Sequence, residues 1–196
     1  MNAYTILFSF FLGSVPFAAI TTRLLCKQSI LQVGDKNPGT RNVYQQFGRL
    51  AGGITLLLDA GKGFFLVLIL HQWSFPVWQI YLLVFVGLLG HAFSPFLFFR
   101  GGQGVSMLLG AMLQMFPIPV TISIIVFGIL QKKIHKFDLS YSITVVFFML
   151  VLFVFYPLLW KERAMIVGLF LFPLAKGFLF PKNRMNPMKT QNESYT

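Results

Sequence analysis

Residues 105–131 read VSMLLGAMLQMFPIPVTISIIVFGILQ, an uncharged run interrupted by Pro117 and Pro119. A helix crossing the hydrocarbon core of a bilayer takes roughly 20 apolar residues, so the run is ample for one crossing and short for two. A proline inside a helix removes a hydrogen bond and clashes with the preceding turn, which divides the run in two. The choice sets the side on which everything downstream lies. With two crossings, Lys132, Lys133 and Lys136 share a side with Lys27, Lys36, Arg41, Arg49 and Arg100, as the cytoplasmic bias of lysine and arginine favours. With one, they lie opposite. Two crossings are therefore expected.

Further uncharged runs cover residues 1–22, 50–58, 63–99, 139–160 and 164–175. The first lacks a basic leader and a cleavage signature, so Ala3 to Leu25 reads as a retained helix and not as a removed signal peptide. A polar stretch from Cys26 to Arg49 follows, too long for a mere connector and rich in turn-forming Gly34, Asp35, Asn37, Pro38 and Gly39. Helix two is expected over Leu50–Leu70 and helix three over Val77–Phe98, joined by a short turn at His71–Pro76. Helix six follows near Leu139–Leu159, an outside turn at Lys161, Glu162 and Arg163, and helix seven near Ala164–Phe180. The fold class expected is an all-α, polytopic integral membrane protein of about seven helices in one domain, residues 1–196. Its N-terminus lies out and its C-terminus in. The tail, with Lys182, Arg184 and Lys189, joins the inner loops in one electropositive face suited to anionic headgroups or substrates.

Composition agrees with lipid as the solvent. Of the 196 residues 56% are hydrophobic and 11% charged, against about 25% charged in soluble domains. The net charge of +11 arises from 16 Lys and Arg against five acids. In a soluble chain that bias points to nucleic acid, but topology signals account for it here, and no nucleic-acid partner is expected. The lone Cys26 excludes an internal disulfide and a thiolate metal site. His71, His91 and His135 have no clustered carboxylates, so no metal is expected, and no Ser-His-Asp arrangement is readable.

A few residues stand out against this background. Asp59 and Lys62 lie three apart in an otherwise apolar helix, on one face where they can pair. Ionisable groups within a membrane segment are rare and mark function or a packing ion pair. His91, after Gly90, reads equally as a packing residue or as a site residue. Arg100-Gly101-Gly102-Gln103-Gly104 stands immediately before an apolar helix, where backbone N–H groups and a helix N-terminus suit a phosphate. The same run serves as a plain tight turn. Gly34–Asn42, with Lys36 and Arg41, is a second glycine- and amide-rich loop on the same side. These residues alone describe a membrane protein handling a phosphorylated or anionic lipid-like substrate.

Four motifs in order carry a specific resemblance: Gly13-Ser14-Val15-Pro16-Phe17-Ala18, Asn37-x-Gly39-x-x-Asn42-Val43, Asp59-x-x-Lys62-Gly63, and Gly90-His91 through Phe93, Phe96 and Phe99 to Arg100-Gly101-Gly102-x-Gly104-Val105. The chain thereby resembles the PlsY family, the bacterial acyl-phosphate-dependent glycerol-3-phosphate acyltransferases, over about residues 10–106. The resemblance implies a seven-helix enzyme of the bacterial inner membrane that moves a fatty acyl group from acyl phosphate to the 1-hydroxyl of glycerol 3-phosphate. The products are lysophosphatidic acid and phosphate, a step of phospholipid biosynthesis, and no metal or coenzyme takes part. It further implies that Asn37, Gly39, Arg41 and Asn42 line one substrate loop and Gly101, Gly102 and Gly104 the other. His91, Arg100, Lys62 and Asp59 would form the catalytic set.

The chain departs from the family pattern at several positions. Gln45 and Gln103 stand where the family has Arg and Lys, Arg100 stands where it has Lys, and its third, C-terminal motif has only Asn183 and Arg184 as faint counterparts. Three readings stay open: a working acyltransferase, a paralogue with an altered acceptor or little activity, and a non-enzymatic protein that binds anionic lipid.

Overall fold

The structure, a computed structural model, describes residues 2–179, without the side chain of Phe178. Phe180 at the expected end of helix seven, and Lys182, Asn183, Arg184 and Lys189 of the tail, lie outside the described residues. Within them the chain forms α1 (Ala3–Ser14), α2 (Phe17–Cys26), α3 (Thr40–Gln72), α4 (Val77–Ala92), a 3-10 turn at Pro95–Leu97, α5 (Val105–Met115), α6 (Pro117–Ile134), α7 (Phe137–Phe155) and α8 (Trp160–Leu179). Five stretches are long and apolar enough to cross a membrane: Ala3–Cys26, Thr40–Gln72, Val77–Leu97, Pro117–Ile134 and Phe137–Phe155. All-helical structure meets the demand of lipid, because a helix satisfies its own backbone where no water is present.

The expected first helix is broken. Pro16 has no N–H and disfavours helical geometry in the residue before it, and Val15 accordingly adopts φ −56°, ψ 118°. α3 begins ten residues before the expected Leu50, because the polar loop winds into helix at Thr40 and kinks at Gly48, φ 83°. The divided run forms two helices that meet at Phe116. Pro117 is the first residue of α6, where its missing N–H costs nothing. At the other end of α7, the expected turn at Lys161, Glu162 and Arg163 is corrected: these residues form the first turn of α8, where Glu162 Oε2 accepts from Leu159 N–H at 3.0 Å. A carboxylate at a helix start is favoured by the exposed N–H groups there, which explains the shift.

Close approach of helix backbones sets the packing. A methyl group at Gly13 would meet the Gly87 carbonyl, and one at Gly63 the Met107 carbonyl, so α1 lies tightly on α4 and α3 on α5. Small residues at such crossings are how membrane helices gain contact when lipid offers no hydrophobic drive. Leu66, Leu70, Tyr81, Leu88, Met107, Met112, Leu152 and Ile166 form the principal core. A smaller cluster, Ala18, Ile30, Val43 and Ala51, seats the loop between α2 and α3.

Contacts near the helix ends sort the elements. At one end, Arg41 meets Asp138 at 2.6 Å, and Thr40 meets Ser106 at 2.9 Å. At the other, Phe8 packs on Trp73 at 5.4 Å and Phe116 on Tyr156 at 5.4 Å. The glycine-rich loops both belong to the first end.

Candidate functional site

The site begins with the helix break at Pro16. A helix that stops leaves its last carbonyls without partners, and here two of them are taken across the bundle. Lys62 Nζ donates to Val15 O at 2.8 Å, and Ser94 Oγ donates to Ser14 O at 2.7 Å. The Ser14-Val15-Pro16 motif therefore builds acceptors for α3 and for the loop after α4.

Lys62 also lies 2.8 Å from Asp59 Oδ1, with both side chains almost fully buried. The contact is a buried charge pair within hydrogen-bonding distance. His91 Nδ1 stands 3.8 Å from the same oxygen. Lys62 further sits over the Phe17 ring at 5.6 Å. A lone charge at such depth is costly, and a partner within contact distance is what retains it.

Above His91 the chain turns back on itself. Phe98 and Phe99 both adopt positive φ, 51° and 61°, an uncommon state for bulky residues that surrounding contacts must hold. Phe99 N–H donates to Ser94 O at 2.8 Å, Arg100 N–H to Leu97 O at 3.0 Å, and Gly101 N–H to Ala92 O at 3.1 Å. The loop thus folds over the end of α4. A methyl at Gly102 would meet His91 Nε2 at 2.5 Å and Pro38 O at 2.9 Å, while Gly104 has φ 88°. The first position needs glycine for space and the second for conformation.

Pro38 brings in the other loop. Asn42, buried, holds that loop in shape: its Nδ2 donates to Val33 O at 3.2 Å and Asn37 O at 3.1 Å, and its Oδ1 accepts from Asp35 N–H at 3.3 Å. Asn37 N–H donates to Asp35 Oδ1 at 3.1 Å. Gly39 is the N-cap of α3 and Gly104 that of α5, and neither supplies a side-chain cap. The Thr40–Ser106 hydroxyl pair, in the first turns of α3 and α5, fixes these two open N-termini side by side. Free N–H groups at two adjacent helix starts make a place for an anion.

Of the residues singled out in the sequence, Asp59, Lys62, His91, Gly101, Gly102, Gly104, Asn37 and Gly39 come together here. The Arg100 side chain is exposed at the rim. Arg41 is turned to Asp138 and lies over the Phe137 ring at 4.6 Å, and Asn42 is spent within its own loop. One residue was missed: Lys176 of α8, whose Nζ donates to Gly101 O at 2.9 Å, to Gly102 O at 2.6 Å and to Ala92 O. The signal that marked Asp59 and Lys62, a charge in an apolar helix, marks Lys176 equally. Among the described residues no group of three or more His, Cys, Asp and Glu is placed to hold a metal ion.

The family model described as glycerol-3-phosphate acyltransferase matches residues 3–188. A glycerol-3-phosphate acyltransferase of Bordetella petrii is 38% identical over 120 residues, which cover 60% of this chain and 56% of that protein. The match thus spans little more than half the length of that relative. A crystal structure of PlsY, an integral membrane glycerol 3-phosphate acyltransferase, in its glycerol 3-phosphate form superposes with a TM-score of 0.79 at 23% identity, covering 95% of this chain and 96% of that one. Its lysophosphatidic acid form superposes with a TM-score of 0.74 at 26% identity, over 89% and 86% of the two chains.

Proposed function

Because the chain belongs to the glycerol-3-phosphate acyltransferase family, we propose that it transfers a fatty acyl group from acyl phosphate to the 1-hydroxyl of glycerol 3-phosphate, giving lysophosphatidic acid and inorganic phosphate. The single observation that carries the reading is the meeting of two uncapped helix starts, α3 at Gly39 and α5 at Gly104, over a buried Asp59–Lys62–His91 cluster. A phosphorylated acceptor and a phosphorylated donor each need such a surface.

The chemistry asks little of the protein beyond this. Acyl phosphate is a mixed anhydride with phosphate as its leaving group. The acceptor oxygen attacks the acyl carbon, the bond from that carbon to the phosphate oxygen breaks, and the hydroxyl proton leaves with a phosphate oxygen. The protein's part is orientation and neutralisation of charge. In this reading the N–H groups of Gly102, Gln103 and the α5 start hold one phosphate, the Gly101 N–H being used on Ala92 O. Asn37 and Gly39 hold the other beside the α3 start, Asn42 shapes that loop, and Arg41 adds positive charge at its edge. His91, packed beneath Gly102, orients the reacting group, and Lys62, braced by Asp59, lends positive charge from below. Arg100 closes the rim with a guanidinium suited to two-point phosphate contact.

The same reading places the two loops on the cytoplasmic side of a bacterial inner membrane, with seven crossings, the N-terminus out and the C-terminus in. It is supported by the contacts that join Arg41 to Asp138 and Lys176 to the Gly101 loop at one end, and Phe116 to Tyr156 at the other. Alternate helix ends thereby meet. Lys27, Lys36, Arg49, Arg100 and Lys132 gather on the loop side, as the cytoplasmic bias requires.

The test is product formation by purified protein in nanodiscs supplied with palmitoyl phosphate and glycerol 3-phosphate, with palmitoyl coenzyme A as the alternative donor. Lysophosphatidic acid and phosphate appearing in equal amounts support the reading. Product only from the coenzyme A donor overturns the donor, and product only with another phosphorylated or polyol acceptor overturns the acceptor.

A further inference from the structure

The side chain least explained by this scheme is Lys176. It reaches from α8, the last helix, to the loop after α4, and its ammonium donates to the carbonyls of Ala92, Gly101 and Gly102. An ammonium has three N–H donors, so all are used on backbone. The stem passes the Phe93 ring, with Nζ 5.0 Å from its centroid. Three carbonyl oxygens pointing at one spot repel one another and would repel an anion still more. The positive charge at that spot removes the conflict.

The consequence for the loop follows from peptide geometry. A trans peptide holds its N–H and C=O on opposite sides, and none of the described peptide bonds is cis. Drawing the Gly101 and Gly102 carbonyls toward Lys176 therefore turns the N–H groups of Gly102 and Gln103 the opposite way. Neither N–H donates to another described residue. Glycine flanks both peptide units, and glycine alone would let them flip at little cost. Something outside the loop must choose the orientation, and Lys176 is bonded to both.

We infer that Lys176 is a positioning residue: by fixing the Gly101 and Gly102 carbonyls it aims the loop's N–H groups at a phosphate group of the substrate. The inference rests on the phosphate-binding role given above to this loop. It gives α8, which supplies no other residue to the site among those described, a part in substrate recognition.

The experiment compares the full-length protein in nanodiscs with Lys176→Met and Lys176→Arg. Two readings are taken: stabilisation of thermal unfolding by inorganic phosphate titrated alone, and steady-state KM and kcat for glycerol 3-phosphate. Lys176→Met is expected to weaken phosphate binding and raise KM by about tenfold, as loss of an orienting charged contact does. kcat should move far less, and Lys176→Arg, which keeps the donors, should recover part of the affinity. Equal phosphate affinity and KM in wild type and Lys176→Met overturn the inference. If Lys176→Met does not insert, Lys176→Gln, which keeps two donors and loses the charge, carries the same comparison. Wild-type protein whose phosphate binding weakens on Lys176→Met but which makes no lysophosphatidic acid would leave the positioning role standing and overturn the enzyme reading instead.

Discussion

Thr40 and Ser106 are 66 positions apart in the chain, and their hydroxyl oxygens lie 2.9 Å apart. Each stands in the first turn of a helix whose N-cap is glycine, so the hydroxyls tie two open helix starts without blocking either. Removing one hydroxyl should let the starts drift while both helices persist. Ser106→Ala is expected to raise KM for glycerol 3-phosphate about three- to tenfold, the range of one net hydrogen bond. Thr40→Val should do the same, and the double variant should cost no more than either alone. Additive effects in this double-mutant cycle would mean that the pair does not act as a unit.

The Asp59–Lys62 pair makes a different prediction, about stability as well as turnover. Both side chains are buried, so removing one partner strands the other. Asp59→Leu alone is expected to destabilise by about 3–5 kcal/mol, the cost of leaving a buried charge unpaired. Asp59→Leu with Lys62→Met removes both charges and should regain most of that stability. It should not regain activity, because the Lys62 contact to Val15 O and its charge are gone. Thermal unfolding of the detergent-solubilised variants, set beside phosphate release, separates the two roles. Recovery of turnover in the double variant would leave the pair with a packing role only.

Much of this arrangement was legible in the residues, and the reasons differ by element. Long uncharged runs specify helices in lipid with little ambiguity, so α4, α6 and α7 fall near the expected positions. The pairing of Asp59 with Lys62 follows from a spacing of three on one face. The helix break at Pro16 follows from the same proline rule that divides the run at Pro117, whereas the partners Lys62 and Ser94 that take the freed carbonyls do not show in the Gly13–Ala18 motif. Lys176 escaped for the same reason. It ends an apolar run and looks like a topology signal until Ala92, Gly101 and Gly102 are seen to lie within its reach. The charge within an apolar helix was itself readable at Lys176, as at Asp59 and Lys62, but its partners were not, because contacts between distant segments depend on packing. Glu162 is a simpler case: its value as an N-terminal partner for Leu159 was readable, and the turn reading passed over it.

Gly102 offers the sharpest steric test. A methyl there would meet His91 Nε2 at 2.5 Å and Pro38 O at 2.9 Å, whereas a methyl at Gly128 has nothing within 4 Å. Gly102→Ala should therefore push the two loops apart and lower kcat/KM by at least about tenfold, since the displacement falls at the reacting groups. Gly128→Ala should leave activity unchanged and stabilise slightly, by up to about 1 kcal/mol, because alanine is the better helix former. Equal activity in both variants would show that the loop contact is not needed for turnover.

The last prediction concerns the side on which these loops lie. Lys133 is exposed near the end of α6 and Lys161 is exposed in the first turn of α8, and the proposed seven crossings would put them on opposite faces. Cys26, the one native thiol, is first replaced by serine so that labelling reports only the new site. In intact cells an impermeant thiol reagent should then leave Lys133→Cys unlabelled and label Lys161→Cys, and disrupting the cells should expose the former. The expectation follows from Phe116, where α5 and α6 meet. If the chain reverses direction there, α5 must cross although it has only 11 residues, about half of a usual span. Small residues such as Gly110, which lies against the Ala60 carbonyl, would hold it within the protein, where a short helix need not meet lipid along its length. Ready labelling of Lys133→Cys in intact cells would mean that α5 and α6 make one crossing, and the electropositive face would then be split between the two sides of the membrane.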